Sequence, residues 1–390
     1  LEDHTPPNPQ ARPRVDLETF DFRFEEPADY TDAQRPYTDA GDWETVRIPD
    51  YRGPVGPWAA YYRIRFHADS ELFRLGRVWL RFKAVDYTCQ VFINGRYIGE
   101  QEGLFAPFGF DVTKVLREDG PNTLVVRVEN DAPQKGLSSG RPWQGYGGPP
   151  KGVGPYSLRG DKVFGGTGQG WDEPDSTLGE PEKRGGWSHC PPGAGIWHGI
   201  YLEGRPTTGI DDLFVRPHPE EKAAELWMET WRSDFSRAPT SVELSVHPNN
   251  FAGAIYEIGR RELNPAGPKR SVYKLRFRLP GFQWWTLDRP HLYTLRVKLT
   301  CDEGGEPATD VQDVVFGMRS FVQDTTGPRK GEFRLNGEPI VLRGTNEMGN
   351  LSVPMQHGDR EQVIEDLLLG KAAHLNYWRL TQRPVQSEVY

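Results

Sequence analysis

Apolar residues recur at every second position through much of this chain: Tyr62, Ile64 and Phe66; Val78, Leu80 and Phe82; Cys89, Val91 and Ile93; Leu124, Val126 and Val128. Successive side chains of a strand point to opposite faces, so each run predicts a half-buried strand with one face in a core and the other in water. A further strand is predicted at Thr19–Phe24. Asn94-Gly95 follows the third run and precedes Tyr97-Ile98-Gly99, which predicts a tight hairpin because both loop residues of its turn need positive φ. Several short strands separated by turn signals make a sandwich or jelly roll.

The pattern then breaks. About two fifths of residues 131–195 are Gly or Pro, and the stretch carries Trp143, Tyr146, Tyr156, Phe164, Trp171 and Trp187. Loops this long are uncommon and tend to be functional or disordered. Alternation resumes at Ile196–Leu202 and continues from about Ile210 to Met318, through Val242, Leu244 and Val246, then Tyr273, Leu275 and Phe277, then Tyr293, Leu295 and Val297. Roughly 110 residues with about seven short strands suit an immunoglobulin-like sandwich, although the Cys…Trp…Cys signature of the antibody type is missing.

After Arg319 the rhythm changes again. Phe333–Leu342 reads as a hairpin turning at Asn336-Gly337. A helix is expected to start near Asp359, with Gln362 as its capping-box partner and Val363, Ile364, Leu367, Leu368 and Ala372 on one face. The strand at Asn376–Leu380 completes strand, helix, strand, the first βαβ pattern in the chain.

Composition narrows the function classes. A chain of 390 residues predicts two or three domains, and 36% hydrophobic residues with 12% aromatics suffice for real cores. The net charge of −8 without a basic run argues against nucleic acid and anionic membrane surfaces. No apolar stretch approaches the roughly 18 residues of a spanning helix. Cys89, Cys190 and Cys301 are widely spaced and odd in number, suggesting neither a disulfide framework nor a metal site. No nucleotide fingerprint follows any strand, so no cofactor is expected. The chain starts at Leu1, so a missing leader is uninformative. Localisation stays open, with the periplasm or exterior favoured over the cytoplasm, and a homo-oligomer is compatible with these features.

Five motifs, in order, resemble glycoside hydrolase family 2, which includes β-galactosidases, β-glucuronidases and β-mannosidases. Ala84–Tyr87, Val91–Gly95 and Pro107–Thr113 resemble its N-terminal sugar-binding jelly roll, and Gly193–Trp197 the strand that closes it. Trp285, Pro290, Leu292 and Tyr293 match the end of its immunoglobulin-like domain. Gly317–Arg319, Phe333–Asn346 and Asn376–Tyr390 resemble the opening of its (β/α)8 barrel. The resemblance implies a mainly β chain: a jelly roll over residues 1–207 with the 131–195 insertion, an immunoglobulin-like sandwich over 208–318, and the first βαβ unit of an incomplete barrel over 319–390. It implies an exo-acting, retaining β-glycosidase of oligosaccharides, in which two carboxylates about 5–5.5 Å apart act as acid/base and nucleophile.

In the family both carboxylates are glutamates on later barrel strands, so they are expected beyond Tyr390 and this chain alone is expected to be inactive. Asn346-Glu347 imitates the family's acid/base dipeptide but falls at the first barrel strand, and takes no such role. Arg379 matches the arginine that hydrogen-bonds the nucleophile, holding it ionised and aimed. Asn346 matches a strand-end residue able to hydrogen-bond sugar hydroxyls. Where galactosidases and glucuronidases of the family commonly carry histidines, this chain has Met348 and Gln382, which points to a shifted sugar specificity. Trp378, next to Arg379, is expected to face the helix layer. Trp143, Trp171 and Trp187 are candidates for stacking on sugar faces. A carbohydrate-binding sandwich without catalysis is the alternative reading.

Overall fold

The computed structural model describes residues 4–25, 41–52, 59–86, 88–103, 106–129, 194–232, 239–264, 270–301, 308–347, 351, 354–355, 358–380 and 389. The described chain is mainly β and divides into two compact units. One holds Leu1–Pro13, Phe73–Arg77 and Gly204–Leu342; the other holds Arg14–Leu72, Val78–Glu203 and Arg343–Tyr390.

In the second of these units an antiparallel six-stranded sheet runs in the order Glu44–Arg47, Thr19–Phe24, Ala59–His67, Pro121–Glu129, Thr88–Ile93, Arg96–Glu102. A four-stranded sheet runs Arg14–Leu17, Ile200–Arg205, Arg77–Phe82, Phe108–Asp111. The period-two residues make the core: Phe20, Phe22, Tyr62, Val78, Leu80, Phe82, Cys89, Val91, Ile93, Leu124, Val126 and Val128 are each at most 1% exposed. The strand at Thr19–Phe24 is where the sequence predicts it. Asn94 and Gly95 have φ of 52° and 76°, the paired positive values that a primed two-residue turn demands. Burial lifts the Cys89 thiol to about 12.

Two expectations need correction here. Ile64 and Phe66 are only half-buried, so the first alternating run leaves the core after Tyr62. The opposite face of the six-stranded sheet is not in water either. Tyr61, Phe92 and Val125 are buried there beside Arg23, Gln90 and Arg127. Arg127 lies across the ladder from Tyr61 and Gln90, and its guanidinium donates to Glu25 at 2.6 and 2.7 Å and to Glu129 at 2.7 Å. The Tyr61 hydroxyl donates to the same Glu25 at 2.7 Å. Strand periodicity reports that a residue faces away from one core, not what covers the other side.

Seven antiparallel strands form the sandwich of the first unit. Thr208–His218, Ala223–Arg232 and Arg270–Arg278 make one sheet; Tyr256–Glu262, Pro239–Pro248, Tyr293–Cys301 and Ala308–Phe316 make the other, each in spatial order. Leu226, Met228, Val242, Val246, Leu295, Val297 and Leu299 are completely buried between them. The segment His4–Pro13 is strapped to this unit. The Arg12 guanidinium pairs with the buried carboxylate of Asp310, which also accepts the Ile210 N–H at 2.7 Å.

The hairpin Phe333–Leu335/Glu338–Ile340 turns at Asn336-Gly337, both with positive φ, and pairs with Phe321–Gln323. Asn336 stitches it to the sandwich, donating through Nδ2 to the Trp285 carbonyl at 2.9 Å and accepting at Oδ1 from the Ser320 N–H at 3.0 Å.

Candidate functional site

The parallel strands Gly344–Glu347 and Tyr377–Leu380 lie side by side, joined through the helix Arg360–Ala372. Asp359 caps that helix by accepting the Gln362 N–H at 3.1 Å. The Gln362 side chain does not close a reciprocal capping box; its Nε2 donates to Asp366 one turn on, at 3.1 Å. Of the apolar face read from the sequence, Val363 is buried while Ile364 and Leu368 are exposed.

Register fixes what the strands present. Gly344 pairs with Tyr377, Thr345 with Trp378, and Asn346 with Arg379. Asn376 extends the ladder by one rung: its N–H donates to the Arg343 carbonyl and its Oδ1 accepts the Arg343 N–H, both at 2.8 Å. Gly344 is required by this approach, because a Cβ there would stand 2.3 Å from the Tyr377 carbonyl oxygen. On the helix, a Cβ at Gly370 would stand 2.6 Å from the Trp378 ring, so the indole lies against the helix where only glycine leaves room. Sequence reasoning singled out neither glycine nor Asn376. A glycine inside a strand or helix is the signal that could have found the first two.

Because strand side chains alternate, Trp378 on the helix side places Arg379 on the face away from the helix. Arg379 Nη1 donates to Asn346 Oδ1 at 3.4 Å, a long contact between two exposed side chains. Both residues are third in four-residue strands, toward the carboxyl ends, where ligands of parallel α/β sheets collect. The amide oxygen engages one of the five guanidinium donors, so the pair sets an exposed cation beside an amide that can donate and accept. That chemistry suits a carboxylate and sugar hydroxyls. Met348, Gln382, Trp143, Trp171 and Trp187 lie outside the described residues. Among the described residues no group of three or more His, Cys, Asp and Glu side chains could hold a metal ion.

Residues 55–149 match a family profile described as glycosyl hydrolase 2 galactose-binding domain-like, and residues 208–319 match glycosyl hydrolases family 2. The chain belongs to glycosyl hydrolase family 2. Together the two matched segments make up more than half of its 390 residues. It is 23% identical over 372 residues to a β-galactosidase of Priestia megaterium, covering 93% of this chain and 29% of that protein. It is 24% identical over 322 residues to a putative β-glucuronidase of Formosa agariphila, covering 80% of this chain and 31% of that protein. Among solved structures, Bacteroides uniformis β-glucuronidase 2, covalently bound to cyclophellitol-6-carboxylate aziridine, superposes with a TM-score of 0.66 at 19% identity, over 97% of this chain and 40% of that one. A Ruminococcus gnavus β-glucuronidase superposes with a TM-score of 0.65 at 16% identity, over 99% of this chain and 58% of that one. At these identities the structural likeness speaks for the fold. The family 2 chain thus spans about a third of the curated relatives named here.

Proposed function

We propose that this chain is the N-terminal part of a retaining exo-β-glycosidase that hydrolyses O-glycosidic bonds of oligosaccharides. The observation that carries the reading is the in-register Asn346–Arg379 pair, near the carboxyl ends of adjacent parallel strands and on the face away from their helix. In a (β/α)8 barrel that face is the interior, and those strand ends form the catalytic mouth.

Arg379 is then a positioning residue. Its guanidinium donates to the carboxylate that attacks the anomeric carbon, favouring the ionised form and fixing its direction. Asn346 holds Arg379 through its amide oxygen and offers its Nδ2 donors to a sugar hydroxyl. The nucleophile and the acid/base come from the part of the relatives that this chain does not span. Attack forms a covalent glycosyl–enzyme while the acid/base protonates the leaving oxygen; the same group then deprotonates the incoming water. The Met348 and Gln382 positions favour a sugar other than ordinary galactose, and the Trp-bearing 131–195 segment supplies stacking surfaces for it.

The test is a proton NMR time course on β-linked nitrophenyl glycosides, comparing the 390-residue chain with the protein extended by its downstream coding sequence. The expected result is turnover by the extended protein alone, with the β-anomer appearing first. An α-anomer as first product would refute retention. No turnover of any β-glycoside by the extended protein would favour the carbohydrate-binding alternative.

A further inference from the structure

The seven-stranded sandwich has an open edge where Tyr256–Glu262 borders one sheet and Arg270–Arg278 borders the other. A concavity of about 490 Å³ lies there, within the size range of small-molecule sites. Its lining joins an apolar floor to charged walls. Ala223 and Phe277 are buried and Ile258 half-buried; Glu221, Glu257, Arg261, Arg276 and Arg278 are exposed around them.

Two details distinguish this edge from an ordinary charged rim. The ladder slips at Ile258: Leu244 pairs with Gly259 and Ser245 with Glu257, leaving Ile258 as the extra residue of a bulge, with Gly259 at φ +86°. Bulges of this kind re-aim side chains and gather beside binding sites. The arginines also differ in their commitments. Arg276 is paired with Glu221, whereas no hydrogen bond or ion pair with a described residue engages Arg261 or Arg278. Two guanidinium groups with open donors, above apolar carbon and beside an acceptor at Glu257, match a molecule with a carboxylate, an apolar C–H face and hydroxyl donors.

We propose that this edge is a non-catalytic binding site for a saccharide bearing one carboxylate, a uronate. Arg261 and Arg278 take the carboxylate, Ile258 and the floor take the ring's C–H face, and Glu257 accepts from a hydroxyl. The choice of a sugar as the carrier of the carboxylate rests on the glycosidase reading; the anion site itself does not. A saccharide held here would tether a polymeric acidic substrate to the enzyme.

Isothermal titration of the 390-residue chain with sodium D-glucuronate, D-glucose and sodium acetate tests the site without requiring hydrolysis. Glucuronate is expected to bind saturably and about tenfold or more tighter than either comparison compound, since each charge-assisted contact is worth roughly that factor. R261Q and R278Q, made singly and together, are expected to weaken glucuronate by about tenfold or more each while leaving the melting temperature unchanged. R379Q, outside the lining of this concavity, is expected to leave the chain's affinity for glucuronate unchanged. Equal binding of glucose would show that the guanidinium groups are not used, and equal binding of acetate that the ring is not recognised. Loss of binding in R379Q, or its survival in both single arginine variants, would put the ligand elsewhere. Any of these overturns the proposal, and none of them depends on whether the extended protein is a glycosidase.

Discussion

In the seven-stranded sandwich, Leu226, Val242, Leu295 and Leu299 are wholly removed from water; in the helix Arg360–Ala372, Leu368 and Leu369 remain 58% and 67% exposed. Both regions spend apolar residues at the right period for their element, but only the sandwich contains the second layer that uses them. An antiparallel sandwich is closed by its own two sheets. A parallel βαβ unit is one step of a larger structure and cannot bury its helix or its strand pair alone. The contrast separates a sandwich whose apolar residues are covered by its own sheets from the strand pair that carries Asn346 and Arg379, whose helix leaves Leu368 and Leu369 exposed.

The largest effect that would sharpen this contrast is expected at Arg127. Its side chain and that of Glu25 are only 9% and 12% exposed, so Arg127→Ala leaves a buried carboxylate without its cation. A loss of about 3–5 kcal/mol is expected in urea unfolding followed by the intrinsic fluorescence of the chain. A loss below about 1 kcal/mol would mean that the outer face of the six-stranded sheet is wetter than its geometry indicates.

The next effect sets the two regions directly against each other. Leu295→Ala is expected to cost about 2–5 kcal/mol, the usual range for opening a cavity in a packed core. Leu369→Gln is expected to stay within about 0.5 kcal/mol, since the side chain already faces water in this chain. Comparable losses in the two variants would break the comparison and place the helix in a core.

Much of the scaffold was legible in the sequence. Alternation located the jelly-roll strands, and Asn94-Gly95 and Asn336-Gly337 marked turns whose positive φ values Asn and Gly tolerate best. What periodicity could not convey was cover. Ile64 and Phe66 alternate with Tyr62 yet only Tyr62 reaches the core, and Tyr61, Phe92 and Arg127 are buried on the face the pattern assigned to water. Gln362 matched a capping box by spacing, but a carboxylate one turn further on competes for its amide.

The candidate site was legible through resemblance more than through physics. Nothing in the local pattern of Arg379 says that it meets Asn346, because parallel register depends on the long crossover from Glu347 to Tyr377 rather than on a turn. The supporting glycines, Gly344 and Gly370, carry no chemistry, and their meaning emerged only from the distances a Cβ would violate.

Steady-state kinetics of Arg379→Ala and Arg379→Lys in the protein extended by its downstream sequence test whether Arg379 positions the nucleophile. In Arg379→Ala kcat is expected to fall about 100-fold or more, as for loss of one preorganised donor at a reacting charge. Arg379→Lys should recover part of that loss, because the cation returns without its fork. The acidic limb of the pH–rate profile should move to higher pH as the nucleophile loses the cation that kept it ionised, with the melting temperature unchanged. An unchanged kcat together with an unmoved acidic limb in Arg379→Ala would contradict that role.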